Sequence, residues 1–216
     1  GIVARTDSLT APTTVDGAST ILFDLNEGDD YDSVNEFYIK TSFSKVSLNG
    51  TVVGPYTLND FQVCDTEEMA AQAIEAADGQ IDFHDYKRIV IFMPQGSCTF
   101  SGSASIGTVP IYTDDGDIQA SWSINFSSNQ SLVAHELGHQ FGLAHANAIY
   151  CTGCEDIGNQ SVEYGDTFDV MGSGFRHFNA AHKEEVGWLG VENSVIVTSG
   201  EYLLKPLEIG QSGGAI

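Results

Sequence analysis

Residues 135 to 145 read His-Glu-Leu-Gly-His-Gln-Phe-Gly-Leu-Ala-His, the pattern H-E-x-x-H-x-x-G-x-x-H, whose residue types and spacing suit a catalytic metal site. His135 and His139 are four residues apart, so on a helix they stand one turn above the other and can aim both imidazoles at one point. Gly142 can take positive φ, end that helix and turn the chain, which would return His145 to the same point from outside it. Three neutral imidazoles leave the fourth position of a tetrahedral zinc open for water, the arrangement of a catalytic rather than a closed structural site. The same donors exclude calcium or magnesium as the catalytic ion. Glu136 sits about 100° of helix from His135, poorly placed as a ligand but beside the open position. Its carboxylate can there take a proton from water acidified to a pKa of about 7 and pass it to a leaving amine. The metal polarises the scissile carbonyl and holds the oxyanion, so no serine or cysteine nucleophile is needed. With positions treated as independent, the full pattern arises by chance in roughly a few in a hundred thousand such chains, so satisfied core histidines are a poor explanation. The expectation is a zinc-dependent endopeptidase.

The elements that must position these residues can be sketched from the same chain. Ser128 or Asn129 can cap the helix that carries His135 and His139, which should end near Gly142. Ahead of it, residues 121 to 126 alternate enough to be a strand. Asp65 with Glu68 makes a capping-box-like start to a helix running to about residue 77 and closed by Gly79. Residues 87 to 93, Lys-Arg-Ile-Val-Ile-Phe-Met, read as a buried strand ended by Pro94. Further strand candidates are residues 20 to 25, 36 to 40, 46 to 48, 51 to 58 and 195 to 207. The Gly/Ser-rich stretch from 96 to 107 reads as loop. A last helix should start at an Asn179 cap and end by Gly187.

Beyond the histidines, Asp169-Val170-Met171-Gly172 looks like the methionine-containing turn that follows this zinc signature in the metzincins. The wider string from Glu163 to Gly172, then His177-Phe178-Asn179-Ala180-Ala181-His182-Lys183 and Gly187-Trp188-Leu189, resembles the gametolysin family of peptidases. The resemblance implies an extracellular metalloendopeptidase acting on matrix or cell-wall protein, often made as a zymogen with a propeptide to be removed. It implies His135, His139 and His145 as zinc ligands, Glu136 as base, and Met171 as a hydrophobic support under the imidazoles rather than a ligand. Some metzincins place a tyrosine two residues after that methionine; here the position is Ser173, so the oxyanion-assisting group is unassigned. Tyr164 and His177 are candidates for it by sequence proximity, but a solvated surface role is the preferred reading of both. In metzincins an edge strand pairs with extended substrate, so the resemblance makes residues 118 to 125 the candidate cleft wall, with Ile118, Ala120 and Trp122 contacting peptide. Gly172, Ser173, Gly174 and Phe175 are expected to shape the specificity pocket.

The fold class implied is α+β: one metzincin-like catalytic domain over residues 1 to 216. Its upper lobe, to about 142, would hold a mixed twisted sheet and two long helices. Its lower lobe, from about 143, would be irregular, with the Met-turn and the C-terminal helix.

Thirty acidic residues against eight basic ones give a formal net charge of −22 while charged residues total 18%. Such a surface should repel nucleic acid and anionic membranes. No apolar run approaches the roughly 18 residues of a membrane span, and the first residues lack a signal-peptide core. The chain reads as a secreted monomer. Acidic clusters at residues 24 to 32 and 114 to 117 could collect calcium, but neither has the spacing of an EF-hand loop, and solvated loops explain them better. His84, His177 and His182 read as structural or solvent-facing, since the metal already has three histidines. Four cysteines allow three complete pairings; Cys64 with Cys98 and Cys151 with Cys154 is preferred, the first tying the entrance of a helix to the end of a strand. Disulfides would place the chain in an oxidising compartment. The alternative from another class is a catalytically silent, zinc-stiffened adhesion module, against which Glu136 argues, because such a module has no use for a base. A hydrolase of non-peptide esters or amides is a third reading.

Overall fold

The computed structural model describes residues 1–25, 33–149, 161–174, 177–190, 195–203 and 206–207. Strands Ile2–Thr6 (β1), Val53–Leu58 (β2), Arg88–Phe92 (β3), Gly102–Ala104 (β4), Val109–Ile111 (β5) and Ile118–Asn125 (β6) form one sheet in the order β2-β1-β3-β6-β4, with β5 also on β6. The first four strands of that order run parallel, while β4 and β5 are antiparallel to β6. Helices are Val15–Phe23 (α1), Val34–Thr41 (α2), Thr66–Asp78 (α3), Gln130–Gln140 (α4) and Ala180–Glu185 (α5), and a small antiparallel ladder joins Ala148–Ile149 (β7) to Ser161–Val162 (β8). A mixed sheet with few helices is consistent with the α+β class. The chain divides into two compact units, residues 1–38 with 47–144, and residues 39–46 with 145–216.

Period-2 alternation gives the sheet two different faces. Ile89 and Ile91 of β3 and Ile118, Ala120 and Ile124 of β6 join Met69, Ala70, Ala73, Ile74 and Ala77 of α3 in the main apolar cluster. Each such isoleucine or methionine contributes roughly 1.5–3 kcal/mol when fully buried, and each alanine less. The intervening residues Ser121, Ser123 and Asn125 face the other way and are fully buried. Ser121 and Ser123 there meet Gln140 of α4: Ser121 Oγ donates to Gln140 Oε1 at 3.0 Å, and Gln140 Nε2 donates to Ser123 Oγ at 2.9 Å and to the Ile89 carbonyl at 3.1 Å. A polar seam, fully hydrogen-bonded at Gln140, thus fixes α4 on the sheet.

Several expectations meet this fold directly. Asp65 accepts from the Glu68 amide and caps α3, and β3 and α5 lie where the sequence put them. Residues 20 to 25 and 36 to 40 are not strands but largely fall in α1 and α2. Thr14 caps the first by accepting from the Gly17 amide, and Ser33 caps the second by accepting from the Glu36 amide at 3.1 Å; these short apolar runs were ambiguous, and the caps decide for helix. Residues 46 to 48 form no strand; the Leu48 amide bonds Asn35 Oδ1 instead. Within the stretch expected to be loop, Gly102–Ala104 is recruited as a strand by pairing with β6, a tertiary effect that outweighs the weak β-propensity of Gly, Ser and Ala. Residues 195 to 203 carry no strand, and Ile196 is wholly exposed.

Cys64 and Cys98 form a disulfide, closing 34 residues between the start of α3 and the end of the β3 loop. Cys151 and Cys154 lie outside the described residues. By loop-closure entropy the observed bridge contributes about 3–4 kcal/mol. A Cys64→Ser/Cys98→Ser variant should therefore lose that much in urea unfolding, with a raised m-value because the unfolded chain is freed to expand, and a loss below about 1 kcal/mol would show that the bridge adds little.

Candidate active site

Helix α4 is built to hold its histidines still. Asn129, not Ser128, caps it, accepting from the Leu132 amide at 3.0 Å. Tyr38, itself fully buried, donates its hydroxyl to the Ala134 carbonyl at 2.9 Å and stacks on Phe141 with ring centroids 5.2 Å apart. At the other end the Arg88 guanidinium donates to the Gln140 carbonyl and lies 3.7 Å over the Phe141 ring, a cation where helix carbonyls are left without partners. Gly142 has φ +100°, a backbone conformation that side chains rarely allow, and so ends the helix before His145.

The ligand-type nitrogens of His135, His139 and His145 all lie within 4.8 Å of one another, near enough for one ion to draw in all three. Among the described residues no other set of three His, Cys, Asp or Glu side chains gathers in this way; Asp114, Asp115 and Asp117 do not. The remaining ring nitrogens of His139 and His145 are engaged where a metal site needs them to be. His139 Nδ1 lies 2.7 Å from the Leu143 carbonyl and His145 Nδ1 lies 2.8 Å from Glu163 Oε1. An acceptor at Nδ1 fixes the proton there and leaves the Nε2 lone pair for a metal. Three gathered imidazoles, with no fourth ligand group beside them among the described residues, fit zinc.

Glu136 is 4% exposed and burial raises its carboxyl from 4.5 to about 8. A carboxylate kept this dry binds a proton avidly, which suits a group that must take one from water and give it up again. Beside it, the edge strand β4 comes close at Gly102, where a side-chain carbon would meet Glu136 Oε1 at 2.6 Å.

The pattern described as Gametolysin peptidase M11 matches residues 8–200. The chain belongs to the gametolysin family of peptidases. No curated protein matches it. The family and the three-histidine site together support a zinc metallopeptidase.

In this gametolysin-family chain the residues after His145 are pinned by the turn around Met171. Asp169, fully buried, accepts from the Met171 amide, from the Asn179 amide and from His182 Nδ1 at 2.6, 2.6 and 2.8 Å. Burial alone would lower the His182 pKa, but the hydrogen bond and charge of Asp169 outweigh it and leave the imidazole raised above its ordinary value. Met171 is buried, and its carbonyl accepts from the amide of Ala146, the residue next to His145, at 2.9 Å. Tyr164 is not simply a solvated side chain: held at φ +59°, it places its ring centroid 3.9 Å from that of His145. His177 pairs through its backbone with the turn, and the Val170 amide donates to its carbonyl. His84 is exposed and hydrogen-bonded to Asp82. Lys183 is fully buried with its ammonium 4.6 Å from the Phe43 ring centroid.

The expected cleft wall needs correction. Residues 118 to 125 do not form a free edge, because β3 pairs with residues 121 to 125 on one side while β4 and β5 pair with residues 123 to 125 and 118 to 120. Where β6 is paired on both sides no peptide can add to it. Ile118, Ala120 and Trp122 lie on the α3 side of the sheet, opposite the zinc-helix face, where Ile118 and Ala120 belong to the apolar cluster and Trp122 packs against it. Gly172 and Gly174 are needed by the turn itself, since side chains there would strike the backbone of residues 166 to 169. Phe175 lies outside the described residues.

Sequence reasoning assigned no role to Gln140, Glu163 or Asp169, although the last two stand in the string that resembles the family. The alternating serines of β6 opposite a helix glutamine are a legible sign of the first. Glu163 had no local signal, because 18 residues separate it from His145. Its removal tests its orienting role: Glu163→Ala should weaken zinc binding about 10- to 100-fold in competition with a chelator, and an unchanged affinity would mean that His145 is oriented without it.

Proposed function

We propose that the chain is a secreted zinc endopeptidase that hydrolyses extracellular-matrix or cell-wall proteins, with Glu136 as the base that activates water. The observation that carries this reading is a carboxyl buried on the same helix as two members of a three-histidine cluster. A zinc-stiffened binding module would gain nothing from the cost of that burial. Zinc held by His135, His139 and His145 would supply a Lewis acid that polarises the scissile carbonyl and acidifies water. Glu136 would take the proton from the attacking water and return it to the departing amine nitrogen, so that the peptide bond breaks as the water oxygen bonds to the carbonyl carbon. Met171 would act as an apolar support for the histidines, and Gly172, Ser173 and Gly174 would border the specificity pocket.

The Cys64–Cys98 bridge supports an oxidising, extracellular setting, and no helix among the described residues is long and apolar enough to cross a membrane. The negative charge disfavours nucleic acid as a partner. A single-chain active form released from a propeptide remains our reading of the family resemblance. Gelatin digestion by the zinc-loaded chain, beside Glu136→Ala with the same zinc content, tests the whole reading. Fragments from the parent alone are expected; no cleavage by either protein would favour the silent module.

A further inference from the structure

We propose that Gly102 is a positioning residue for Glu136, the edge strand β4 being notched at this point to make room for the carboxylate. The inference rests on the reading of Glu136 as the base. In the β4–β6 ladder Gly102 pairs with Asn125, and directly opposed residues of an antiparallel pair point to the same face. Asn125 alternates with the residues on the α3 side and shares its face with Ser123, to whose hydroxyl its side chain donates. The missing side chain of Gly102 is therefore directed at α4. A carbon placed there would lie 2.6 Å from Glu136 Oε1, 2.9 Å from Cδ and 3.0 Å from Cγ, distances that carbon atoms do not tolerate.

What must yield is the far end of a flexible side chain and no part of the backbone. Gly102 pairs regularly with β6 and is not among the glycines at positive φ, so alanine can adopt its conformation. The contrast with Gly172 is direct: a side chain there would meet the Asp166 carbonyl oxygen, and the turn itself would have to move. At Gly102 the fold can absorb a methyl group by displacing the Glu136 carboxylate. For an ordinary buried glutamate such a displacement would be a packing matter. For a base that must reach a proton over about 2.6–3.2 Å it is a loss of reach, and misplacement by about 1 Å can cost on the order of 100-fold in rate.

The test uses the zinc-loaded chain and a quenched fluorescent peptide, with Gly102→Ala, Glu136→Gln, Glu136→Asp and Gly102→Ala/Glu136→Asp beside the parent. The Gly102→Ala variant is expected to lose about 30- to 100-fold in kcat with KM within about twofold, at unaltered zinc content and melting temperature. In the shorter-armed Glu136→Asp background the added methyl should cost less than about threefold, because the carboxylate no longer fills the notch. A kcat for Gly102→Ala within twofold of the parent overturns the proposal, and so does a loss of zinc or of stability that accounts for the lost rate, or an equal cost in both backgrounds. Inactive Glu136→Gln with fully active Gly102→Ala sinks the positioning role alone, whereas active Glu136→Gln removes the base assignment on which it stands.

Discussion

Glu136→Gln is expected to lower kcat by about 10⁴-fold, the upper range for a general acid–base group, with zinc content preserved. The amide matches the carboxyl in shape, so helix α4 and its three-histidine neighbourhood should remain intact. It has no basic oxygen able to carry a proton from water to a leaving amine. The loss should fall on kcat and kcat/KM alike, because the interaction removed belongs to the transition state. Substitution of His139 should differ in kind, abolishing activity through loss of metal. Steady-state peptide hydrolysis with parallel zinc analysis separates the two, and residual Glu136→Gln activity above about 1% of the parent would exclude Glu136 as the principal base.

The same substitution should stabilise the metal-free protein. Burial raises the Glu136 carboxyl from 4.5 to about 8, so the folded state holds its proton more tightly than the unfolded state does. Stability from this group is therefore greatest below pH 4.5, declines as pH rises through the interval to about 8, and stays low above it. The full difference is on the order of 5 kcal/mol. Urea unfolding of the chelated parent should show this decline, and chelated Glu136→Gln should lack it and be the more stable protein at pH 8. Zinc should reduce the gap, because a dication beside the carboxylate offsets the cost of its charge. Parallel pH profiles for the two metal-free proteins would mean that water reaches Glu136 more freely than its burial implies. The expected decline would instead make Glu136 a group that costs stability for the sake of chemistry.

The histidine cluster and the buried carboxyl were legible because they depend on short-range spacing in and just after one helix. His135, Glu136 and His139 obey helical geometry, Gly142 marks its own turn, and Asn179 and Asp65 announce their helices by capping. Failures came where longer-range pairing decides. Residues 20 to 25 and 36 to 40 looked like strands because a short apolar run fits either structure, and the caps at Thr14 and Ser33 went unread. Strand β4 could not be foreseen from Gly102-Ser103-Ala104, since β6 recruits it. Once β4 and β5 flank β6, the strand taken for an edge becomes interior and Trp122 faces away from the zinc helix. Glu163 reaches His145 across 18 residues, and no local pattern encodes such a contact.

The borders of the sheet bear on how the protein behaves when concentrated. On one flank β4 and β5 offer only three residues each, and on the other β2 carries Pro55, which lacks a backbone donor. Short or proline-interrupted margins are poor templates for another molecule of the same kind. With a formal charge of −22 on every copy, mutual repulsion adds to that poor fit in dilute buffer and fades as salt is raised. Resistance to clumping should then rest on backbone architecture in brine and on charge in fresh water.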